Sequence, residues 1–502
     1  MVAMLRRFAP SFGEIDNAPV SRFLHSRIAR WLLPGLGVAL FAIANLPWHL
    51  DDFDQAKQAF TSFEMVERGH WFYQHTPNAW VATKPPLVGW ISAGLFEVTR
   101  SWELAWRLPS LLAAIALLVL VVRAASVYGA LAALVAACAF CFNLFALRLG
   151  SLVRTDMPLA LVIFGIGALI WQKIRTEDPW TTRDRALLFF LLSAAMLIKG
   201  PIVYAFLWPG LIAFEWRRRK TKAPGSAWSG WMPWLLSFLV FVLWVAGGIL
   251  FVPEFTEHVV LREFAGRFSE EVHRSQPIYF YLPHLLHRFA PWSLLLIGFG
   301  FVAWKKKSDG STESRPANSE TFWLIAWSLG GLLVLSFVPS KRIDRIFPIV
   351  PPLCLLLAAV VGRLRERHNL RAIVDWSCAT AIVLAAVFTS AYTIQKIRIA
   401  LSKHRDAFAV FGREVVKESA VHGWRYAVVG GEEEGMLLYV RQTEFLEPAH
   451  ASAAWNAGKL DALVLPDDEM EGLVAQLQGV PRKQLESAPA GRSGKRYFLL
   501  VR

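Results

Sequence analysis

Apolar runs of roughly 15 to 25 residues, the length that crosses a bilayer core, recur along most of this 502-residue chain. They cover Trp31–Trp48 and then about 104–123, 129–147, 157–174, 185–198, 200–216, 232–252, 289–304, 321–338, 346–362 and 373–394. The pattern predicts about 11 transmembrane helices. A shorter run, Pro86–Val98, is about 13 residues long and ends in Glu97 and Arg100, so it is expected to lie at the interface as a juxtamembrane helix. From residue 396 onward no run is long enough to span. Strand-like strings (Tyr426–Gly430, Leu460–Leu465, Tyr497–Val501) lie among helix-like stretches (Asp406–Ser419, Asp468–Gln478). The expected architecture is an all-α polytopic membrane domain, residues 1–395, followed by a small extracytoplasmic α/β domain, residues 396–502. Residues 308–320 read as a disordered cytoplasmic linker.

The polar patches between the runs are of two kinds. Bare basic runs occur at Arg217, Arg218, Arg219 and Lys220, at Lys305, Lys306 and Lys307, and at Arg363, Arg365 and Arg367. The positive-inside rule makes these cytoplasmic. Arg6, Arg7, Arg22, Arg27 and Arg30 precede the first run, so the N-terminus is expected in the cytoplasm too. That long basic lead, without a small-residue cleavage site after it, argues against a removed signal peptide. The other patches mix acids, bases, prolines and aromatics: Asp51–Pro86, Arg148–Pro158, Glu254–Pro291 and Ser340–Pro348. They share the opposite face and hold nearly all the groups able to do chemistry. The expected setting is a plasma (inner) membrane with the chemistry and the C-terminal domain on its outer side.

Composition narrows the class. Hydrophobic residues make up 55% and charged residues 18%, against about 25% charged in soluble domains. The net charge of +14 sits largely in membrane-flanking clusters, which fits anchoring and anionic lipid rather than nucleic acid. The four cysteines lie in apolar runs, and Cys138 and Cys141, despite their CxxC spacing, read as a buried pair rather than a redox or metal site.

Several outer-face segments place a Lys or Arg beside Pro or Gly: Lys84-Pro85-Pro86, Arg154 to Pro158, Lys199-Gly200-Pro201 and Ser340 to Arg345. Basic side chains drawn from distant segments to one face suit an anion, because Arg forks and Lys point charges hold phosphate. At that depth the simplest anion is a lipid phosphate. An enzyme and a lipid-linked-sugar transporter or flippase both need such a grip. A transporter also carries polar residues or broken helices near the midplane, and these runs have few.

In chain order, the segments DQAKQAFTSFEMVERGHW (Asp54–Trp71), TKPPL (Thr83–Leu87), AWRLPS (Ala105–Ser110), RTDMPL (Arg154–Leu159), LIKGP (Leu197–Pro201), HRSQPIYFY (His273–Tyr281), APW (Ala290–Trp292) and SKRIDRIFPIVPP (Ser340–Pro352) resemble the aminoarabinose transferase and protein O-mannosyltransferase group. The resemblance covers about residues 30 to 395. It implies the GT-C fold and a glycosyltransferase that takes a sugar from a polyprenyl-phosphate-linked donor. The acceptor is an extracytoplasmic glycolipid, such as lipid A, or a protein. Asp54 stands at the catalytic position, and Asp156 is a second candidate acid. Lys57, Lys84, Lys199, Arg342 and Arg345 are the expected donor-phosphate ligands. Arg107, Arg154, His273, Tyr279 and Lys341 are candidate substrate-binding residues.

Each of these also has a plainer role open to it. Asp54 caps a helix, Lys57 pairs with Asp54, Arg154 and Asp156 form an ion pair at a span end, and Arg107 anchors at the interface. Lys341 and Arg345, four apart, share a face if their segment is helical. The chain departs from the group's pattern where Gln55 and Thr83 replace acids, Lys57 replaces an Arg and Arg345 replaces a Tyr. Loss of the two acids argues against a divalent metal, and no other cofactor is expected.

Overall fold

The computed structural model describes residues 23–24, 26–50, 53–221, 225–265, 276–308, 315–430, 433–489 and 494–502. Among the described residues, six helices are long and apolar enough to cross a membrane: Trp102–Tyr128, Asp156–Thr176, Met232–Phe251, Ser319–Phe337, Ile343–Glu366 and Arg371–Ser402. A seventh crossing arises if Tyr281–Arg288 and Trp292–Lys305, bent by 99°, act as one span. The protein is a multi-pass membrane protein. The other expected spans are also helical. Thr182–Lys199 and Ile202–Thr221 carry too many end charges to pass on composition alone, and Arg27–Ile43 is 17 residues long. Leu87–Thr99 has 13 residues, about 20 Å of helix against a hydrocarbon core of about 30 Å.

Two expectations need correction. The run 129–147 is not one helix but two, Ala130–Cys141 and Leu144–Leu149. Asn143 breaks it: its side chain accepts the Phe145 and Ala146 N–H groups as an N-cap and donates to the Ala139 and Phe140 carbonyls. The segment expected as a linker is helical from Arg315 onward, while 309–314 lie outside the described residues.

The described chain forms two compact units. The first comprises residues up to Ile43, Ser110–Ser151 and Thr155–Thr393. Its helices Ile202–Thr221 and Arg315–Phe337 approach backbone to backbone at two glycines. A Cβ on Gly210 would lie 2.8 Å from the Trp327 Cα, and one on Gly330 would lie 2.8 Å from the Pro209 Cβ. Small residues at such crossings let helices associate where no hydrophobic effect operates. Trp323 and Trp327 are buried beside this crossing, and the Trp323 indole donates to the Gly167 carbonyl at 3.2 Å. All four cysteines are buried free thiols.

The second unit comprises Ala44–Pro109, Leu152–Arg154 and Ile394–Arg502. Its centre is a five-stranded sheet of β3 (Tyr426–Val429), β4 (Phe445–Leu446), β5 (Ala462–Pro466), β6 (Arg482–Glu486) and β7 (Tyr497–Val501), which follow β1 (His75–Thr76) and β2 (Trp80–Val81), a separate antiparallel ribbon. The sheet order is β4-β3-β5-β7-β6, with β3 parallel to β4 and β5, and β7 antiparallel to β5 and β6. Side chains alternate between its faces. Leu463, Leu465 and Leu500 pack with Trp455 and Leu473 on one side. Ala462, Val464, Tyr497 and Leu499 face the other side and share a core with Ala56, Phe60 and Phe63 of the helix Phe53–Arg68. That helix, drawn from the first polar patch, therefore belongs to the same compact body as the sheet.

Phe60 is fully buried in this core. Phe60→Ala should destabilise the second unit by about 3–5 kcal/mol through lost transfer energy and a cavity. Thermal unfolding in detergent beside Val480→Ala, at an exposed position, measures it. An equal midpoint for the two variants would contradict the packing.

Candidate active site

In the second unit Asp54 occupies the first turn of Phe53–Arg68, where a carboxylate is favoured by the helix dipole. Its Oδ2 accepts a hydrogen bond from Arg154 Nη2 at 3.1 Å. Arg154 is held from its backbone as well: the neighbouring Val153 N–H donates to the Gln55 Oε1 at 3.2 Å. Gln55 thus docks the 152–154 segment on the helix that carries Asp54. One turn on, Lys57 faces Glu434 of the short helix Glu434–Tyr439. Burial pushes the Glu434 carboxyl up to about 7, with Lys57 opposing the shift. The Glu434 Oε2 is buried without a hydrogen-bond partner.

Lys84 follows the β1–β2 ribbon, and its carbonyl accepts the Gln74 side-chain amide at 3.1 Å. Arg107 is 4% exposed. It donates to the Glu103 carbonyl at 3.1 Å and carboxylate at 3.2 Å, and its guanidinium lies 5.1 Å from the centre of the Trp48 ring.

In the first unit Asp156 begins the helix Asp156–Thr176 and Lys199 ends the helix Thr182–Lys199. Acid at a helix start and base at a helix end both suit the dipole. Asp156 Oδ1 accepts from Lys199 Nζ at 2.6 Å. Gly200 follows at a φ of +72°, which glycine adopts without strain, so the chain turns directly after the lysine.

The Ser340 segment differs from its expectation. Ile343–Ile349 is a 3-10 helix with Pro348 inside it, and Lys341 precedes it, so Lys341 and Arg345 do not share an α-helical face. Lys341 Nζ donates to the Gln276 carbonyl at 2.8 Å and Arg345 Nη1 to the Ser340 carbonyl at 2.7 Å. Arg342 is the extended residue before the 3-10 helix. Arg148 lies 3.5 Å from Asp344, a pair that sequence reading did not select. Tyr279 is exposed, and His273 lies outside the described residues.

Around Asp54 the donors do not favour a divalent ion. The carboxylate already faces a guanidinium, and the Gln55 oxygen already accepts an N–H. A cavity of about 460 Å³ in the first unit, lined by Trp208, Glu215, Arg218, Trp228 and Trp231 among others, holds none of the candidate catalytic, phosphate-binding or substrate-binding residues.

No family model matches the chain. It is similar to undecaprenyl phosphate-alpha-4-amino-4-deoxy-L-arabinose arabinosyl transferases. The protein of that name from Edwardsiella ictaluri is 25% identical over 351 residues, 68% of this chain and 61% of the relative. One from Pseudomonas fluorescens is 28% identical over 400 residues, 71% of this chain and 61% of the relative. The chain thus spans about three fifths of the length of these relatives. Among solved structures, ArnT from Cupriavidus metallidurans bound to undecaprenyl phosphate superposes with a TM-score of 0.72, covering 94% of this chain and 98% of that one at 16% identity. Its apo structure gives 0.69. The fold is therefore the GT-C fold expected from the sequence, with its helical membrane part and C-terminal α/β part.

Glu434 supplies a pH test. In the folded chain it keeps its proton up to about pH 7, while an unfolded glutamate loses it near 4.5. Between these values the folded state holds the extra proton, so stability should fall as pH rises and level off above about 7. Glu434→Gln should flatten that slope in thermal unfolding measured at a series of pH values. An unchanged slope would show that Glu434 titrates normally.

Proposed function

We propose that this chain is an inverting glycosyltransferase that moves a sugar from a polyprenyl phosphate to an extracytoplasmic acceptor, a glycolipid such as lipid A. The observation that carries the reading is the Asp54–Arg154 pair, which joins two motifs 100 residues apart in sequence. The similarity to undecaprenyl-phosphate-dependent aminoarabinose transferases supports the donor class. The basic runs support an N-terminus in the cytoplasm, a plasma-membrane setting and an active site on the outer face. The division into a glycosyltransferase membrane domain, residues 1–395, and an extracytoplasmic domain, residues 396–502, belongs to the same reading.

The chemistry is a displacement at the anomeric carbon. The acceptor oxygen forms a bond to that carbon as the bond to the phosphate oxygen breaks, and the electron pair leaves on the phosphate. Asp54 takes the acceptor proton, and Arg154 orients its carboxylate. The departing phosphate needs charge stabilisation rather than protonation, the role of Lys84, Lys199, Arg342 and Arg345. Asp156 positions Lys199, and Lys57 sits beside Asp54 on the same helix. Arg107, through Glu103 and Trp48, positions rather than binds.

Asp54→Asn should lower the turnover rate by about 10²- to 10⁴-fold, the usual worth of a general base. The assay is transfer of labelled sugar from a polyprenyl phosphate donor, in liposomes, to envelope extract. Label in the lipid fraction supports a glycolipid acceptor; label in protein would replace it with a protein acceptor. Equal transfer by Asp54→Asn would remove Asp54 from its role.

A further inference from the structure

The opposite end of the Asp54-bearing helix holds a second group of side chains. Glu64 lies in the fourth turn, His70 follows the turn made by Gly69, and His75 lies on β1. One ligand atom from each falls within 4.8 Å of the others. Glu64 Oε1 contacts His70 Nδ1 and lies 3.9 Å from His75 Nδ1. The two imidazole rings are 4.3 Å apart and tilted.

An ordinary ion pair leaves this group unfinished. Glu64 is 3% exposed, and its Oε2 has no hydrogen-bond partner. His75 Nδ1 is buried and likewise without one. Buried polar atoms are satisfied in the great majority of cases, and an exception calls for an unseen partner. Water or a neighbouring amide would satisfy one atom. A cation satisfies the carboxylate and both imidazoles at once, and two histidines with one carboxylate are a regular first shell for zinc.

We propose that Glu64, His70 and His75 bind a divalent transition-metal ion of the zinc class, with at least one coordination position left to water. The site is separate from the reacting centre proposed above. Ten residues of helix put Asp54 about 15 Å along the axis from Glu64. The ion ties the C-terminal end of that helix to the ribbon. The ribbon in turn leads to Lys84, because the Gln74 carbonyl accepts the Ala82 N–H at 2.7 Å and the Gln74 amide donates to the Lys84 carbonyl. The metal is a structural clasp.

The test uses full-length protein in detergent, stripped with a chelator and then titrated with Zn²⁺ or Co²⁺. Wild type should take up about one ion per chain, give the absorption bands of a low-coordinate Co²⁺ site, and gain several degrees of melting temperature with Zn²⁺. Glu64→Gln, His70→Ala and His75→Ala should each weaken binding by at least about tenfold, since loss of even an outer-shell partner costs 10–100-fold. The His284→Ala, His287→Ala double variant removes another adjacent histidine pair and should bind as wild type does. Any of the three variants that aggregates is replaced by Glu64→Asp, which keeps the ligand type and should retain a weakened, shifted Co²⁺ spectrum. Binding that survives all three substitutions, or wild type that takes up no ion, overturns the proposal. Since the readouts are metal content, spectrum and melting temperature, failure here is distinct from failure of the transferase reading.

Discussion

Burial of one helix face sets the position of the chemistry in the second unit. Ala56, Phe60 and Phe63 of Phe53–Arg68 pack against Phe408, Leu437, Val464 and Leu499, which lie more than three hundred residues later in the chain. A 16-residue helix is marginal alone in water, so this contact gives the helix its permanence and its orientation. Asp54 and Lys57 are polar residues at the end of a helix whose apolar face is locked. A carboxylate carried on a rigid element is held more closely than one on a free loop. The Leu50 N–H donating to the Tyr439 hydroxyl, and Gly435 lying 3.0 Å (measured from a Cβ position) from the Leu50 carbonyl, fix the entry of the helix in the same way.

Charge does the remaining positioning. Asp54 and Asp156 each begin a helix, and each faces a base from another motif: Arg154 in one unit and Lys199 in the other. Such pairs add little net stability once desolvation is counted. Their value is geometric. Arg154 can direct a planar fork at a carboxylate, which Lys cannot. Lys199 offers Asp156 a point charge instead.

What could be read from the chain, and what could not, divides along a physical line. Strands β3, β5 and β7 were legible because their apolar residues run unbroken through the middle of the sheet. β6, reading Arg-Lys-Gln-Leu-Glu, lies at the sheet edge, where polar residues suffice, and β4 has only two residues. The break at Asn143 had a signal, a lone amide in an apolar run. The 3-10 winding before Val350 had one too: Pro348 has no N–H to donate, and the α-helix begins only at Val350, with Pro351 in its first turn. The acids and bases were legible as candidates, but their partners were not. Arg154 and Asp156 are two residues apart in sequence, yet Arg154 bonds to Asp54 and Asp156 to Lys199, partners far away along the chain. Glu434 carried no local sign at all. Its protonation follows from burial that only the tertiary fold creates.

Gln55, which departs from the pattern of the group the chain resembles, makes sense beside Asp54. An acid at position 55 would also accept the Val153 N–H. It would bring a second negative charge beside Asp54 and compete with it for Arg154. Two carboxylates that close cannot both stay ionised without a cation to share. A glutamine keeps the acceptor oxygen and drops the charge. Asp54 then has Arg154 as its charged partner, and the neutral amide beside it draws in no ion of its own. A residue set with both acids suits a shared metal ion, while one with Gln55 suits a guanidinium. The exchange of acid for amide and the Asp54–Arg154 pair are thus two parts of one electrostatic solution.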